Sequence, residues 1–160
     1  MQFRNLRAEE LEGAVEMPEF ESWLHTIGAT DTAVLIVAPP GTGKAAAVGC
    51  VAHRLARRVI LCDLAELLES ADPVRQLDNV LRVCQAQRHT VLYLDKLDRA
   101  LVRAEPNGQS GELADHLASW LERSRTTLLE SACTVVCTGR DQAALPAHLL
   151  SRFDKTLAVR

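Results

Sequence analysis

The stretch "VAPPGTGKAAA", Val37 to Ala47, sets glycines and a lysine at a spacing that could cradle phosphates. Gly41 and Gly43 allow backbone N–H groups to turn toward an anion, Lys44 can reach β- and γ-phosphate oxygens, and a helix opening there adds its positive end. The pattern G-x-x-x-x-G-K-[ST] fails at both ends, with Ala38 at the first glycine and Ala45 at the hydroxyl. Ala38 is tolerable at negative φ, where only a Cβ is new. Ala45 matters more, because the missing hydroxyl is a direct Mg²⁺ ligand. Some fifty residues further on, "TVLYLD" ends an apolar run in Asp95, the carboxylate that a second nucleotide motif requires. The expected nucleotide-binding set is Pro40, Gly41, Thr42, Gly43, Lys44, Ala45 and Asp95. Its ligand would be ATP or ADP, with Mg²⁺ weak or dispensable and Asp95, or else Asp98, the residue left to hold a cation.

A Gly/Pro-rich turn would bind nothing, so the surrounding elements decide how the loop is read. "TAVLIVA" is a short β-branched run before the loop, and "KAAAVGCVAHRLA" carries helix formers with apolar residues at helical spacing. "RVILCDL" makes a second buried strand and "TVLYLD" a third. Between them "PVRQLDNVLRVCQAQ" sets Val74, Leu77, Val80, Leu81 and Cys84 on one helical face. "ELADHLASWLERSRTTLL" predicts one long helix, "ACTVVCTG" a fourth strand, "PAHLLSRF" a helical turn and "TLAV" a fifth strand. Strands alternating with helices at this spacing argue for a parallel sheet. Upstream, "MPEFESWLHTI" predicts an amphipathic helix opening at Pro18, with Phe20, Trp23, Leu24 and Ile27 inward. Residues 1–160 then form a single domain with an N-terminal arm over 1–17.

The 160 residues, 48% apolar and 24% charged, suit one globular domain with a real core. A net charge of −3 gives no broad footprint for nucleic acid or an anionic membrane, so neither is an expected partner. Cys50, Cys62, Cys84, Cys133 and Cys137 are odd in number and lack a C-x-x-C pair, which reads as core thiols in a reducing compartment. No apolar stretch approaches the ~20 residues of a membrane span, and the N-terminus lacks a signal-peptide core; a cytoplasmic location is the expectation. The basic run "RLARR" reads as a solvated helix end.

With these motifs in order, the sequence resembles the AAA family of P-loop ATPases from about Pro18 to Val159. "APPGTGKA" is similar to the family's "GPPGTGKT", "VLYLDKLD" to its "hhhhDEID", and "VVCTGRDQAALPAHLLSRFD" to the stretch carrying sensor 1 and the arginine-finger region. The resemblance implies an α/β, three-layer P-loop NTPase fold with a five-stranded parallel sheet of order 5-1-4-3-2 flanked by helices. It also marks the departures. Lys96 stands at the Glu that polarises water, and a cation cannot act as that base. Sensor 1, usually Asn, is Gly139 or Arg140. Leu149 takes the place of one family arginine, leaving Arg152 as the possible arginine-finger remnant. No catalytic set is intact, the pore-loop aromatic is missing from "LLESADPV", and the family's helical lid is expected to be lacking.

Three readings follow from the resemblance. The first is a degenerate domain, a pseudo-ATPase, that holds ATP or ADP weakly and works through protein contacts, another AAA subunit being one candidate partner, as a monomer or weak oligomer. The second is a slow ATPase completed by a partner subunit. The third is a scaffold with no nucleotide. Lys96 and Arg140 are either drifted positions or cations that converge with Lys44 on one phosphate pocket.

Overall fold

The computed structural model describes residues 4–6, 22–39, 43–100 and 109–158. Its strands are β1 (Arg4–Leu6), β2 (Ala33–Val37), β3 (Arg58–Asp63), β4 (Thr90–Asp95), β5 (Thr134–Gly139) and β6 (Lys155–Ala158). Its helices are α1 (Lys44–Arg54), α2 (Leu64–Leu68), α3 (Pro73–Ala86), α4 (Leu97–Ala100), α5 (Gln109–Arg123), α6 (Arg125–Glu130) and α7 (Ala147–Leu150). They form one sheet of order β1-β3-β4-β5-β2-β6. The five strands from β2 to β6 are parallel, in the expected order read from the opposite edge. β1 adds an antiparallel edge along β3, with Asn5 opposite Ile60. That pairing falls within the segment read from the sequence only as an arm, because three residues are too few to carry an alternation signal.

Buried side chains alternate across the sheet, which is why the central strands read as continuous apolar runs. Val34 and Ile36 of β2, Val91 and Tyr93 of β4 and Val136 of β5 pack under Val48 and Val51 of α1, with Leu24 and Ile27 closing that side. Leu35, Leu92, Leu94 and Val135 face the opposite layer, built on Leu77, Val80 and Leu81 of α3 and Leu113, Leu117 and Leu121 of α5. At ~25 cal/mol per Å², each fully buried Leu or Val contributes about 1.5–3 kcal/mol. The inward Trp23, Leu24 and Ile27 lie partly or fully buried as expected, whereas Pro18 and Phe20 fall outside the described residues.

Local signals set the element ends. Asp72 caps α3 by accepting the Arg75 N–H at 3.3 Å, with Pro73 at the first helical position where its missing N–H is harmless. The single long helix expected over 112–129 is divided at Ser124, whose φ of −99° and ψ of 4° depart from helical values. Cys62, Cys84, Cys133 and Cys137 are buried and Cys50 is exposed. "RLARR" needs correction at Arg57, which is 7% exposed. Its guanidinium donates to the Thr134 hydroxyl and the Ala29 carbonyl, tying the segment before β2 to β5. No helix among the described residues is long and apolar enough to cross a membrane.

Candidate functional site

Parallel strands bring their C-terminal ends to one edge, and ligands of such sheets bind there. At this edge β2 runs into Ala38, β4 ends in Asp95 and β5 ends in Gly139. Gly43 caps α1 at φ 88° and ψ 32°, the left-handed region that glycine enters without a Cβ penalty. Among the described residues no side chain caps this end, so the first amides of an eleven-residue helix face no protein acceptor there and suit an anion. Pro40, Gly41 and Thr42 lie outside the described residues.

Lys44 opens α1 and folds back over the strand ends. Its Nζ donates to the carbonyls of Ala38 at 2.9 Å and Gly139 at 3.2 Å. Burial pulls its pKa below the usual lysine value, Asp95 and Asp98 oppose that shift, and Arg140 adds to it. Asp95 Oδ1 accepts the Thr138 hydroxyl at 2.8 Å and the Lys96 N–H at 2.9 Å, so β4 and β5 hold it jointly. Ala45, at the first turn of α1, is exposed and offers no oxygen. Among the described residues no group of three or more His, Cys, Asp or Glu could hold a metal. A magnesium ion on a nucleotide takes most of its oxygens from phosphates and water and one or two from the protein, and of those Asp95 keeps its carboxylate while Ala45 has no hydroxyl.

Lys96 does not join Lys44. It adopts a left-handed backbone, φ 61°, and its Nζ lies 2.6 Å from Asp63 Oδ2. Asp63 ends β3 in register with Asp95 of β4, and its other oxygen caps α2 through the Glu66 N–H at 3.1 Å. Burial alone would raise the Asp63 carboxyl; the Lys96 ammonium and the Glu66 and Ala65 amides outweigh it and hold the pKa below the usual value. The signal for Asp63 stands in the sequence, since "RVILCD" and "TVLYLD" both end in Asp, but only pairing in register makes them neighbours.

Of the two candidates for the sensor position, Gly139 is the last residue of β5 and Arg140 lies exposed beyond it. Asp98 of α4 reaches across to this end: its Oδ2 accepts the Arg140 N–H at 2.6 Å and the Asp141 N–H at 2.8 Å. Arg152, just past α7, pairs with Glu122 of α5 at 3.2 Å. The neighbouring Asp154 accepts from Thr32 N–H at 2.7 Å, Thr32 hydroxyl at 3.1 Å and Ala33 N–H at 3.2 Å. Arg125 pairs with its other oxygen at 2.7 Å, so "SRFD" clamps the start of β2.

The family model described as "ATPase family associated with various cellular activities (AAA)" matches residues 34–160. Among solved structures, the chain is similar to a crystal structure of the FIGL-1 AAA domain in complex with ADP, with a TM-score of 0.74 at 17% identity. That likeness covers 94% of this chain and 54% of the other, so the chain spans about half the length of that relative. No curated protein sequence matches.

Proposed function

The chain belongs to the AAA family, and on that premise we propose that it binds an adenine nucleotide weakly, hydrolyses it little or not at all, and acts through contacts with another protein. The nucleotide would rest on the amides at Gly43 and on the Lys44 ammonium, with Asp95 beside them. The ADP held by the FIGL-1 domain supports a diphosphate or triphosphate ligand for this edge of the sheet. Magnesium is weak or dispensable in this reading, because Ala45 supplies no hydroxyl.

The observation that carries the reading is the Lys96–Asp63 pair. Where a carboxylate would orient a water for attack there is an ammonium, and it is turned 2.6 Å from its counter-ion. Loss of a positioned base lowers a rate by ~10²–10⁴. A site with little turnover and a retained fold points to a surface as the working part, and "LLSRFD" with the helix ending near Ile27 is the surface we assign to the partner, another AAA subunit or a different protein. We place the chain as a monomer or weak oligomer in the cytoplasm.

Purified protein with Mg²⁺·ATP should release phosphate no faster than buffer, while calorimetric titration with nucleotide gives binding that Lys44→Ala abolishes. Turnover within tenfold of an ordinary enzyme's ~10 s⁻¹ would refute the reading.

A further inference from the structure

Two cysteines distant in sequence meet at the edge of the sheet opposite the phosphate loop. Cys84 lies in the last turn of α3, Cys133 directly precedes β5, and Thr90, which opens β4, touches both. The Thr90 oxygen lies 3.6 Å from Cys84 Sγ and donates to Cys133 Sγ at 3.2 Å. Cys133 Sγ also lies 3.4 Å from the Cys84 carbonyl, the acceptor for its proton while it is a thiol. Both side chains are buried, and the Arg57 guanidinium acts on both sulfurs.

The two thiols are not equivalent. The hydrogen bond with Cys84, the Thr90 hydroxyl and N–H and the Arg57 charge outweigh burial and lower Cys133 to about 6. Its bond to Cys133 and its own burial hold Cys84 well above the usual thiol value. Burial likewise pushes Cys62 up to about 12 and raises Cys137. The thiolate is the nucleophilic form, so Cys133 is the reactive member and Cys84 keeps a proton to give.

The cover over the pair is thin. Exposed His89 and partly exposed Ala132 directly precede Thr90 and Cys133, and both take a left-handed backbone, at φ 56° and 54°, that residues other than glycine rarely adopt. The His89 N–H donates to the Ser131 carbonyl at 2.9 Å, which joins the two covering segments. A local opening there uncovers both sulfurs without unfolding the sheet.

We propose that Cys133 and Cys84 form an oxidative modification site, in which a hydroperoxide converts Cys133 to a sulfenic acid and Cys84 resolves it as an intramolecular disulfide. The Cys133 sulfur attacks one peroxide oxygen, the O–O bond breaks, and the departing hydroxide takes up a proton as water. The Cys84 sulfur then attacks the sulfenic sulfur, an S–S bond forms as the S–O bond breaks, and the hydroxide released takes the Cys84 proton as a second water. The two thiols together lose two electrons, and the peroxide gains them.

The test treats the reduced intact chain with hydrogen peroxide in native buffer, blocks remaining thiols with N-ethylmaleimide under denaturing conditions, and maps peptides without reductant. Wild type should give a linked Cys84–Cys133 peptide that dithiothreitol removes, formed about tenfold or more faster than any oxidation of Cys62 or Cys137. In the presence of dimedone, Cys84→Ser should carry the adduct on Cys133, and Cys133→Ser should carry none on Cys84. Oxidation of the exposed Cys50 with no Cys84–Cys133 link in wild type overturns the proposal, and that result decides even if the variants fail to fold. Scrambled cysteine pairings in native buffer that match those in urea also overturn it, because the pairing would then owe nothing to the fold. A dimedone adduct on Cys84 in Cys133→Ser, with none on Cys133 in Cys84→Ser, overturns the assignment of Cys133 as the nucleophile.

Discussion

Lys96→Glu restores the residue type that a hydrolytic site of this family carries, yet the structure places it against Asp63. The Lys96 ammonium and the Asp63 carboxylate lie 2.6 Å apart, with side-chain exposures of 38% and 28%. A pair this open contributes about 0.2–1 kcal/mol, since water and salt screen it. Reversal removes that and adds like-charge repulsion, about 1 kcal/mol at 4 Å in a water-like dielectric and more in a drier one. The combined loss is about 1–2 kcal/mol, or roughly 2–8 °C in Tm for a domain of this size. Asp63→Asn keeps an oxygen to cap α2 and removes the repulsion, so adding it to Lys96→Glu should recover most of the loss. Urea unfolding of wild type, both single variants and the double variant closes the cycle. A Lys96→Glu protein as stable as wild type, or singles that simply add, would refute the pairing and with it the argument that Lys96 is held away from the phosphates.

The same pair gives a pH dependence. The Asp63 pKa is lowered in the folded state, so its contribution is present above its unfolded value of about 3.9 and is lost as pH falls through the folded value; the stability gap between wild type and Lys96→Ala should close on acidification, and a gap that widens would contradict this sign. Ala45→Thr with Lys96→Glu should raise phosphate release above background more when Asp63→Asn is also present, and equal rates with and without it would show that Asp63 does not hinder the restored base. Asp154→Ala strips three hydrogen bonds from Thr32 and Ala33 and should lower unfolding free energy by about 2–4 kcal/mol in denaturant titration; a change under about 0.5 kcal/mol, ordinary for a surface site, would deny the clamp. Arg57→Ala leaves the buried Thr134 hydroxyl without its donor, and a loss of about 1–3 kcal/mol is expected by the same measurement.

The sequence by itself determined the parallel sheet, because β-branched runs such as "TAVLIVA" and "TVLYLD" are buried on both faces and alternate with helix-forming segments. It also placed Gly43, Lys44 and Asp95 at strand and helix ends, where a local pattern is enough to fix position. The strand at Arg4–Leu6 was beyond it, since its signal is the partner β3, with Asn5 set opposite the distant Ile60. Charge could be counted along the chain but not assigned. Lys96 reads as either a drifted position or a cation near a phosphate until β3 and β4 pair in register, which delivers the Asp63 carboxylate to it from thirty-three residues upstream. Asp98 read as a spare cation ligand until α4 packs against the end of β5 and Gly139 leaves room for its second oxygen, unpartnered among the described residues. Which opposite charges neutralise one another depends on distances of a few ångströms between separate strands, and only the assembled sheet sets those.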